Sequence, residues 1–343
     1  LEAESTALFR ETDDRWSLAL ALASLGQATL ATGDNETAPA LFHESLALWR
    51  EVEDHWGLAL STHQFAWFAY LQGDHATARR LFEESNALFQ EFGEKWHVGH
   101  AWNYLGHIAR FQGENVAAEL HYRNALALLR ELGNKPGPAV SLYGLGQVAR
   151  QRGDYHEAVT WFRESYRLFQ ELSSPAGIAS CLEGLGEVVS AQGGRAAAVQ
   201  AAQLLATASR LREESGRPIG VAERPNYERA AGAIRATLGA DTFATAWEAG
   251  RAMTLAETIS VVERLMHDPD VSGRPSSINP AGLTDREIEV LRLVAQGLTD
   301  AQVAQRLVVS PRTVNSHLRS IYSKLDVTSR SAATRYALEH HLG

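Results

Sequence analysis

The stretch LGHIARFQGENVAAELHYRNALALL, residues 105–129, indicates the fold of most of this chain. It contains a Leu-Gly pair, a Gly-acid turn, a small residue, an aromatic residue and a leucine, in that order. The same succession recurs with a period of forty residues. Each period predicts a helical hairpin, in which a first helix, a tight turn and a second helix follow one another. One hairpin cannot bury its own apolar face, so the hairpins must stack.

The recurring positions define the repeats. The Leu-Gly pair or its equivalent stands at Leu25–Gly26, Phe65–Ala66, Leu105–Gly106, Leu145–Gly146 and Leu185–Gly186. The turn follows at Gly33–Asp34, Gly73–Asp74, Gly113–Glu114, Gly153–Asp154 and Gly193–Gly194. We predict an array of about five units over residues 1–205, with the first unit partial. Because residues 4–12 match only the second helix of a unit, we expect the chain to be a fragment of a longer protein.

This array resembles the tetratricopeptide repeat, in a forty-residue form. The resemblance rests on the Leu-Gly pair of each first helix and on small and aromatic positions of the second helix. Those second-helix positions are Ala38, Ala78, Ala118 and Ala158, with Phe42, Phe82, Tyr122 and Phe162. The proline that the family has after the second helix is absent. The resemblance implies an all-α, right-handed superhelix whose concave wall is lined by the first helices.

The family's ligand-facing positions, transferred to this chain, predict a row of polar and aromatic side chains on that wall. These groove candidates are His63, Trp67, Tyr70, His100, Asn103, His107, Arg110, Tyr143, Gln147, Arg150, Glu183 and Glu187. Such a stripe is more polar and aromatic than packing requires, which favours a groove for a protein, a peptide or a small effector. An ordinary solvated face is the alternative. The histidines have no carboxylate or cysteine at ligand spacing, so we expect no metal site.

The repeat pattern fades after residue 205, although helical periodicity continues. We predict a helical connecting region over residues 206–267, which resembles the segment before the DNA-binding domain of large multidomain LuxR-type regulators and would cap the array. Residues 268–281 (DPDVSGRPSSINPA) are rich in Pro, Ser, Gly and Asp and lack apolar periodicity. We predict a flexible linker there.

The last part of the chain, residues 282–343, predicts a separate small domain. Three helices follow one another between residues 283 and 330, with a tight turn between the second and the third. Thr284, Thr299 and Ser310 are placed as helix N-caps, and Pro311 stands where a missing N–H costs nothing. The third helix, from Pro311 to Leu325, has an apolar face and a face rich in basic and amide side chains. Such a helix after a short helix and turn fits a DNA major groove.

This domain resembles the LuxR-type helix-turn-helix. The matching residues are Leu283, Thr284, Arg286, Glu287, Val290, Leu291, Gly297, Leu298, Thr299, Val303, Ala304, Ser310, Thr313, Val314, His317, Lys324, Leu325 and Val327. The chain has Asn315 where the family often has Lys, and Asp326 where it often has Gly. The first departure changes a base-reading position, because Asn can pair bidentately with adenine whereas Lys favours guanine.

Charge supports DNA binding. The chain as a whole carries a net charge of −9, whereas residues 306–335 hold six basic residues and one acid. We predict that Asn315, Ser316 and Arg319 face the bases. Contacts with phosphates, or positions next to them, are predicted for Thr299, Ser310, Arg312, Thr313, Lys324 and Arg330. The resemblance also implies a homodimer on double-stranded DNA, formed through the last helix.

The sequence gives little support for a disulfide-bonded protein, a membrane protein or an enzyme. The single cysteine, Cys181, excludes an internal disulfide, and no apolar run is long enough for a membrane span. No phosphate-binding loop, catalytic triad or dinucleotide motif is present, so we expect no enzyme and no cofactor. Together with the DNA-binding segment this favours a cytoplasmic transcription regulator. A repeat-based interaction scaffold without specific DNA binding, and a fragment of an ATPase-containing regulator, are the alternatives.

Overall fold

The chain divides into two compact units, Leu1–Gly273 and Arg274–Gly343. The computed structural model describes residues 2–12, 14–32, 34, 36–220, 223–267, 283, 285–307, 311–325, 327 and 329–339. Across these residues the chain forms eighteen α-helices and no strand, so the predicted all-α fold is confirmed. None of the described helices is both long and apolar enough to cross a membrane.

The first unit begins with one helix, α1 (Glu2–Glu11), which five helical hairpins follow. The hairpins are α2–α3 (Arg15–Thr32, Ala38–Glu51), α4–α5 (His55–Leu71, His75–Glu91), α6–α7 (Lys95–Phe111, Asn115–Glu131), α8–α9 (Pro136–Gln151, Tyr155–Glu171) and α10–α11 (Pro175–Gln192, Arg195–Ser215). The predicted array boundary at residue 205 falls inside α11, which extends ten residues further to Ser215.

Aromatic side chains of the second helices pack directly on glycines of the first helices. The ring of Tyr122 on α7 lies between Gly106 of its own hairpin and Gly144 of the next. A Cβ atom would come within 2.7 Å of that ring at Gly106 and within 2.4 Å at Gly144. Phe162 on α9 lies between Gly146 and Gly184 in the same way. The glycines therefore set how closely successive hairpins approach.

The turns inside the hairpins require glycine for another reason. Gly73, Gly113 and Gly153 have φ angles of +79°, +77° and +80°, in the left-handed region that side chains with a Cβ disfavour. The acidic residue after the glycine begins the second helix. Asp74, for example, accepts a hydrogen bond from the backbone N–H of Thr77, which is the expected N-cap geometry. The predicted Gly-acid turns thus have a direct structural cause.

Ion pairs on the outside of the array repeat with the units. Arg10 and Glu44 are 2.7 Å apart, Arg50 and Glu84 are 3.7 Å apart, and Arg130 pairs with Glu164, each with a separation of thirty-four positions along the chain. All of these side chains are at least a third exposed. Such pairs each contribute at most about 1 kcal/mol to the free energy of unfolding. Their main effect is therefore to align successive units with one another.

Three further helices continue the first unit. They are α12 (Arg224–Leu238), α13 (Ala240–Ala252) and α14 (Leu255–His267). Phe243 and Ala246 of α13 join the apolar core of the last hairpin. Gly250 permits close contact, because a Cβ there would come within 2.4 Å of the Gln203 carbonyl oxygen on α11. These helices therefore bury the side of the last hairpin. The predicted linker, residues 268–281, lies outside the described residues.

The second unit is a small helical domain. Its helices are α15 (Asp285–Ala295), α16 (Asp300–Arg306), α17 (Pro311–Leu325) and α18 (Arg330–Glu339). The core consists of Leu283, Val290, Leu291, Val294, Val303, Ala304, Val314, Leu318, Ile321, Ala333 and Ala337. All four helices contribute to it, so the short α16 is held by its neighbours rather than by its own helical propensity.

The close contact between Tyr122 and Gly144 predicts a stability effect. We expect Gly144→Ala to lower the free energy of unfolding by about 1–3 kcal/mol, because the added methyl group displaces a buried ring. Urea unfolding followed by tryptophan fluorescence measures this. Gly232→Ala is the matched control, since Gly232 lies in α12 with open space around it. The control should raise stability by up to about 1 kcal/mol through helix propensity. Equal effects of the two substitutions would contradict the packing argument.

Candidate functional sites

The second unit contains a helix, a turn and a helix with well-formed ends. Gly297, with a φ of +83°, follows α15, and Thr299 begins α16. Thr299 and Gln302 form a capping box, in which each side chain accepts a hydrogen bond from the other's backbone N–H. The third helix of the motif, α17, has the predicted bounds, Pro311–Leu325. Thr284 and Ser310, the other predicted caps, lie outside the described residues.

The two faces of α17 differ as the sequence predicts. Val314, Leu318 and Ile321 are buried in the domain core. Asn315 and Arg319, one helical turn apart, are exposed on the opposite side. The helix therefore presents an amide and a guanidinium side by side, a pair that can read base edges in a major groove. The side chains of Ser316, Arg312 and Thr313 lie outside the described part, although their positions belong to α17.

Two of the predicted phosphate contacts also hold the domain together. The Lys324 ammonium lies 2.7 Å from a carboxylate oxygen of Glu287 on α15, whose side chain is almost fully buried. The Arg330 guanidinium pairs with Asp300 at the start of α16 and donates to the carbonyl of Leu298. The Thr299 hydroxyl takes part in the capping box, where it donates to the side-chain oxygen of Gln302 and accepts from the Gln302 backbone N–H. Contact with phosphate remains a prediction for all three.

The twelve groove candidates lie on the first helices, α4, α6, α8 and α10, and none of them is exposed. Asn103, Arg110, Gln147 and Glu183 are buried, and the other eight are half-buried. The stripe is therefore not an ordinary solvated face, the alternative that the sequence left open. Its side chains contact one another and neighbouring elements. Ligand binding by these residues remains a prediction.

The histidines of the stripe are neutral packing groups. His63 packs edge-on against Phe82, with ring centroids 5.3 Å apart, and His107 packs in the same way on Tyr122. Burial lowers the pKa of both histidines to about 3, assisted at His63 by His97 and His100 and at His107 by Arg110. Within the residues described, no group of three or more His, Cys, Asp or Glu side chains could hold a metal ion.

Charged groups of the stripe are paired inside the array. Arg150 and Glu187 are 3.0 Å apart, and both are largely buried. Glu183 receives two hydrogen bonds from Arg212 of α11, at 3.0 and 2.9 Å. Burial raises the pKa of Glu187 to about 7, although the Arg150 charge opposes this shift. Sequence periodicity did not identify Arg212, because α11 departs from the pattern of the earlier second helices.

Arg110 has a partner from outside the array. Its Nη2 donates to a carboxylate oxygen of Glu223 at 2.9 Å, across 113 positions of the chain. The Arg110 side chain is 3% exposed and that of Glu223 is 26% exposed. The guanidinium also lies over the Phe111 ring, 4.3 Å from its centroid. Glu223 directly precedes α12, in a region without repeats, so no sequence signal places it beside the groove candidates.

Cys181 is buried, as expected for a packing residue. Its side chain is inaccessible to solvent, and its sulfur donates to the Ser165 hydroxyl at 3.3 Å. Burial raises the pKa of the thiol to about 12, so the reactive thiolate is suppressed at neutral pH.

Comparison with known protein families gives a match in each of the two units. Residues 281–337 match the family of bacterial regulatory proteins described as the luxR family. Residues 17–91 and 98–171 match the tetratricopeptide repeat family. Both resemblances inferred from the sequence are thus confirmed.

Individual relatives are similar over part of the chain. A putative HTH-type transcriptional regulator of Mycobacterium tuberculosis is 35% identical over 132 residues, which is 37% of this chain and 14% of the relative. The transcriptional regulatory protein LiaR of Bacillus subtilis is 37% identical over 82 residues, 24% of this chain and 36% of the relative. The chain therefore matches only a small part of the mycobacterial relative's length.

A solved structure resembles this chain in fold. The crystal structure of BtubC from P. vanneervenii superposes with a TM-score of 0.54 at 20% sequence identity. The match covers 64% of this chain and 91% of BtubC. At this identity the likeness concerns the fold alone.

The low pKa of His63 predicts a pH effect on stability. The unfolded chain takes up a proton at His63 as the pH falls through 6.5, whereas folded His63 does so only near 3. The unfolded state thus binds more protons in this window, and the contribution of His63 to stability falls on acidification. His63→Phe keeps an aromatic ring and removes the titration. We expect the variant's stability to rise relative to the parent by about 2–3 kcal/mol between pH 7 and roughly pH 4.5.

Urea unfolding across that pH range measures the difference between the two proteins. His55→Phe is the control, because His55 is exposed at the start of α4. If the free energies of unfolding of His63→Phe and of the parent change equally with pH, folding does not lower the pKa of His63.

The contacts of Arg330 predict a local stability effect. Arg330→Gln removes the ion pair with Asp300. The shorter side chain also loses the hydrogen bond to the Leu298 carbonyl. We expect amides of α16 to exchange their hydrogens about five- to thirtyfold faster, equivalent to about 1–2 kcal/mol. Arg306→Gln is the control, because Arg306 lies exposed at the end of α16. If α16 exchanges at the parental rate in Arg330→Gln, the ion pair does not hold this helix.

Proposed function

We propose that this chain, whose second unit is a LuxR-family helix-turn-helix domain and whose first unit carries tetratricopeptide repeats, is part of a DNA-binding transcription regulator. In this proposal α17 reads promoter DNA in the major groove, and the repeat array binds a partner that controls the output. The observation that carries the DNA-binding role is the exposed pair Asn315 and Arg319 on a helix whose other face is buried.

The geometry of α17 supports base reading by these two side chains. Arg can bond bidentately to guanine and Asn to adenine, and the two lie one helical turn apart on the same face. This arrangement differs from a general basic surface, which would attract phosphates without selecting a sequence.

The charge distribution supports the electrostatic part of binding. Six basic residues and one acid in residues 306–335 stand within a chain of net charge −9. Release of counterions from DNA would then make binding strongly dependent on salt. Lys324 and Arg330 can take part while they keep their carboxylate partners, because both side chains remain about a third exposed.

The repeat array supports a role in interaction. Tetratricopeptide repeats suggest a protein partner, and the half-buried aromatic and charged groups of the first helices offer polar recognition. A scaffold that binds proteins without reading DNA is the second candidate, favoured by the same array. A homodimer on DNA through α18, with two copies on symmetric half-sites, completes the first proposal.

Selection from a random pool of DNA duplexes distinguishes the two candidates. The full chain is titrated with the enriched duplexes at two salt concentrations. Enrichment of a defined motif, with affinity that falls steeply with salt, supports the regulator. A chain that enriches no motif and shows no salt-dependent binding would favour the scaffold.

Arg319 provides the sharpest test of the recognition face. We expect Arg319→Ala to weaken binding to the selected duplex by about 1–3 kcal/mol and to relax preference at one base position, because one bidentate contact is lost. Repeated selection with the variant, together with titration of the parental motif, measures both effects. Arg292→Ala is the matched control, since Arg292 is an exposed arginine of α15 and lies outside the predicted recognition helix. Unchanged base preference in Arg319→Ala would mean that another face meets the DNA.

A further inference from the structure

Three tryptophans recur at the forty-residue period and remain partly exposed. Trp16, Trp56 and Trp96 are each the second residue of a first helix, in α2, α4 and α6. They are between 41% and 48% exposed, whereas Trp49, which packs in the core, is 2% exposed. Forty positions after Trp96 the chain has Pro136, so the series is confined to three hairpins. Packing alone does not require a large aromatic side chain that solvent reaches.

Each indole lies close to a turn that joins two hairpins. The Trp16 Nε1–H donates to a carboxylate oxygen of Asp54 at 2.8 Å, in the turn before α4. Trp56 packs edge-on against Phe92, with ring centroids 5.6 Å apart, in the turn before α6. Leu132 stands forty positions after Phe92, and both are exposed. We call this apolar series the indole rim; its members are Trp16, Trp56, Phe92, Trp96 and Leu132.

The turns that carry the indoles are acidic. Residues 11–16, 51–56 and 91–96 contain eight acids and two bases. Both bases are already neutralised within the protein, in the pairs Arg15–Glu51 and Lys95–Glu131. Glu53 and Glu91 are exposed, and neither belongs to an ion pair within the described residues. A partner that covers the rim must therefore bring positive charge to complement these acids.

Arginine suits both features of the indole rim. Its planar guanidinium stacks on an indole face, and tryptophan gives the strongest cation–π attraction of the aromatic side chains. The N–H groups at the edge of the guanidinium can at the same time bind a neighbouring carboxylate. Lysine carries the same charge on a compact ammonium without a planar group, so it stacks less well. The rim therefore favours arginine over lysine.

The spacing of the indoles predicts the spacing of the arginines. Successive first helices lie against one another, and packed helices are about 8–10 Å apart. The indoles recur once in each first helix, so they recur at about this distance. A polyproline II segment has three residues per turn and rises about 3.1 Å per residue, so every third side chain lies on the same face, about 9 Å further on. Arginines at every third position thus match successive indoles.

We propose that the indole rim binds an arginine-rich segment of a partner protein in the polyproline II conformation, with arginines at every third position stacked on Trp16, Trp56 and Trp96. The exposed acids of the turns neutralise these arginines. This inference rests on the proposed role of the array in binding a partner, and it assigns that role a surface and a class of ligand. It does not depend on the reading of DNA by α17.

Two peptides of equal composition test the spacing. Fluorescein-labelled Arg-Pro-Pro-Arg-Pro-Pro-Arg is titrated with the full chain, and binding is followed by fluorescence anisotropy. The control peptide, Arg-Arg-Arg-Pro-Pro-Pro-Pro, has the same charge with the arginines in one block. We expect the spaced peptide to bind about tenfold more tightly, because only its arginines reach successive indoles. Equal affinities would overturn the proposal, since charge alone would then account for binding.

A substitution in the middle of the rim tests the stacking. Trp56→Leu keeps an apolar side chain and removes the aromatic face, so we expect it to bind the spaced peptide about tenfold more weakly than the parent. Trp247→Leu is the matched control, because Trp247 lies in α13, outside the rim. Trp96→Leu tests the same contact if Trp56→Leu does not fold. Parental affinity in the folded rim variant would overturn the proposal.

A pair of double variants tests the charge. Glu53→Gln with Glu91→Gln removes two exposed acids from the turns, and we expect it to weaken binding of the spaced peptide and to reduce the salt dependence of that binding. Glu228→Gln with Glu248→Gln removes the same charge from exposed positions of α12 and α13 and should bind like the parent. Equal losses in the two double variants would mean that the net charge of the chain, rather than the rim, attracts the peptide.

DNA selection with the parent chain separates this inference from the proposed function. A parent that enriches a DNA motif but does not discriminate between the two peptides overturns the inference alone. A parent that enriches no motif but prefers the spaced peptide supports the indole rim and favours the scaffold over the regulator.

Discussion

The packing of an aromatic ring between two glycine-bearing helices is the constraint on which the rest of the array depends. Tyr122 contacts the backbone at Gly106 and Gly144, and Phe162 repeats the arrangement one hairpin later. Each ring belongs at once to its own hairpin and to the next, so neither hairpin is complete alone. The spacing of the glycines therefore fixes the period of the chain, and the exposed ion pairs between successive second helices follow that period.

This constraint also explains the chemistry of the groove candidates. Close approach of the hairpins removes water from the polar groups of the first helices, so those groups must be neutral or paired within the protein. His63 and His107 meet the requirement by losing their proton. Arg150 meets it with a glutamate of a neighbouring first helix. In the described part of the chain, Arg110 forms its ion pair with Glu223, which lies outside the hairpins.

Local patterns in the sequence predict what local interactions determine. The forty-residue period, the turn glycines and the bounds of α17 depend on residues close together in the chain, and these predictions are confirmed. Burial of the groove candidates was not predicted, because it depends on how tightly neighbouring hairpins pack. The contact between Arg110 and Glu223 could not be predicted either, since it joins a repeat to a segment without repeats, 113 positions away. The ion pair between Lys324 and Glu287 could not be predicted either. The family pattern includes both positions but does not indicate that their side chains are in contact.

The two units place their cations in opposite environments, and this difference suits opposite tasks. In the array, the buried guanidinium groups already have carboxylate partners, so under the proposed function an anionic ligand would have to compete with them. On α17, Arg319 is exposed, so under the proposed function it would meet a base without first leaving a partner inside the protein. Exposed cations favour fast, salt-dependent association with a polyanion, whereas buried and paired ones favour selectivity.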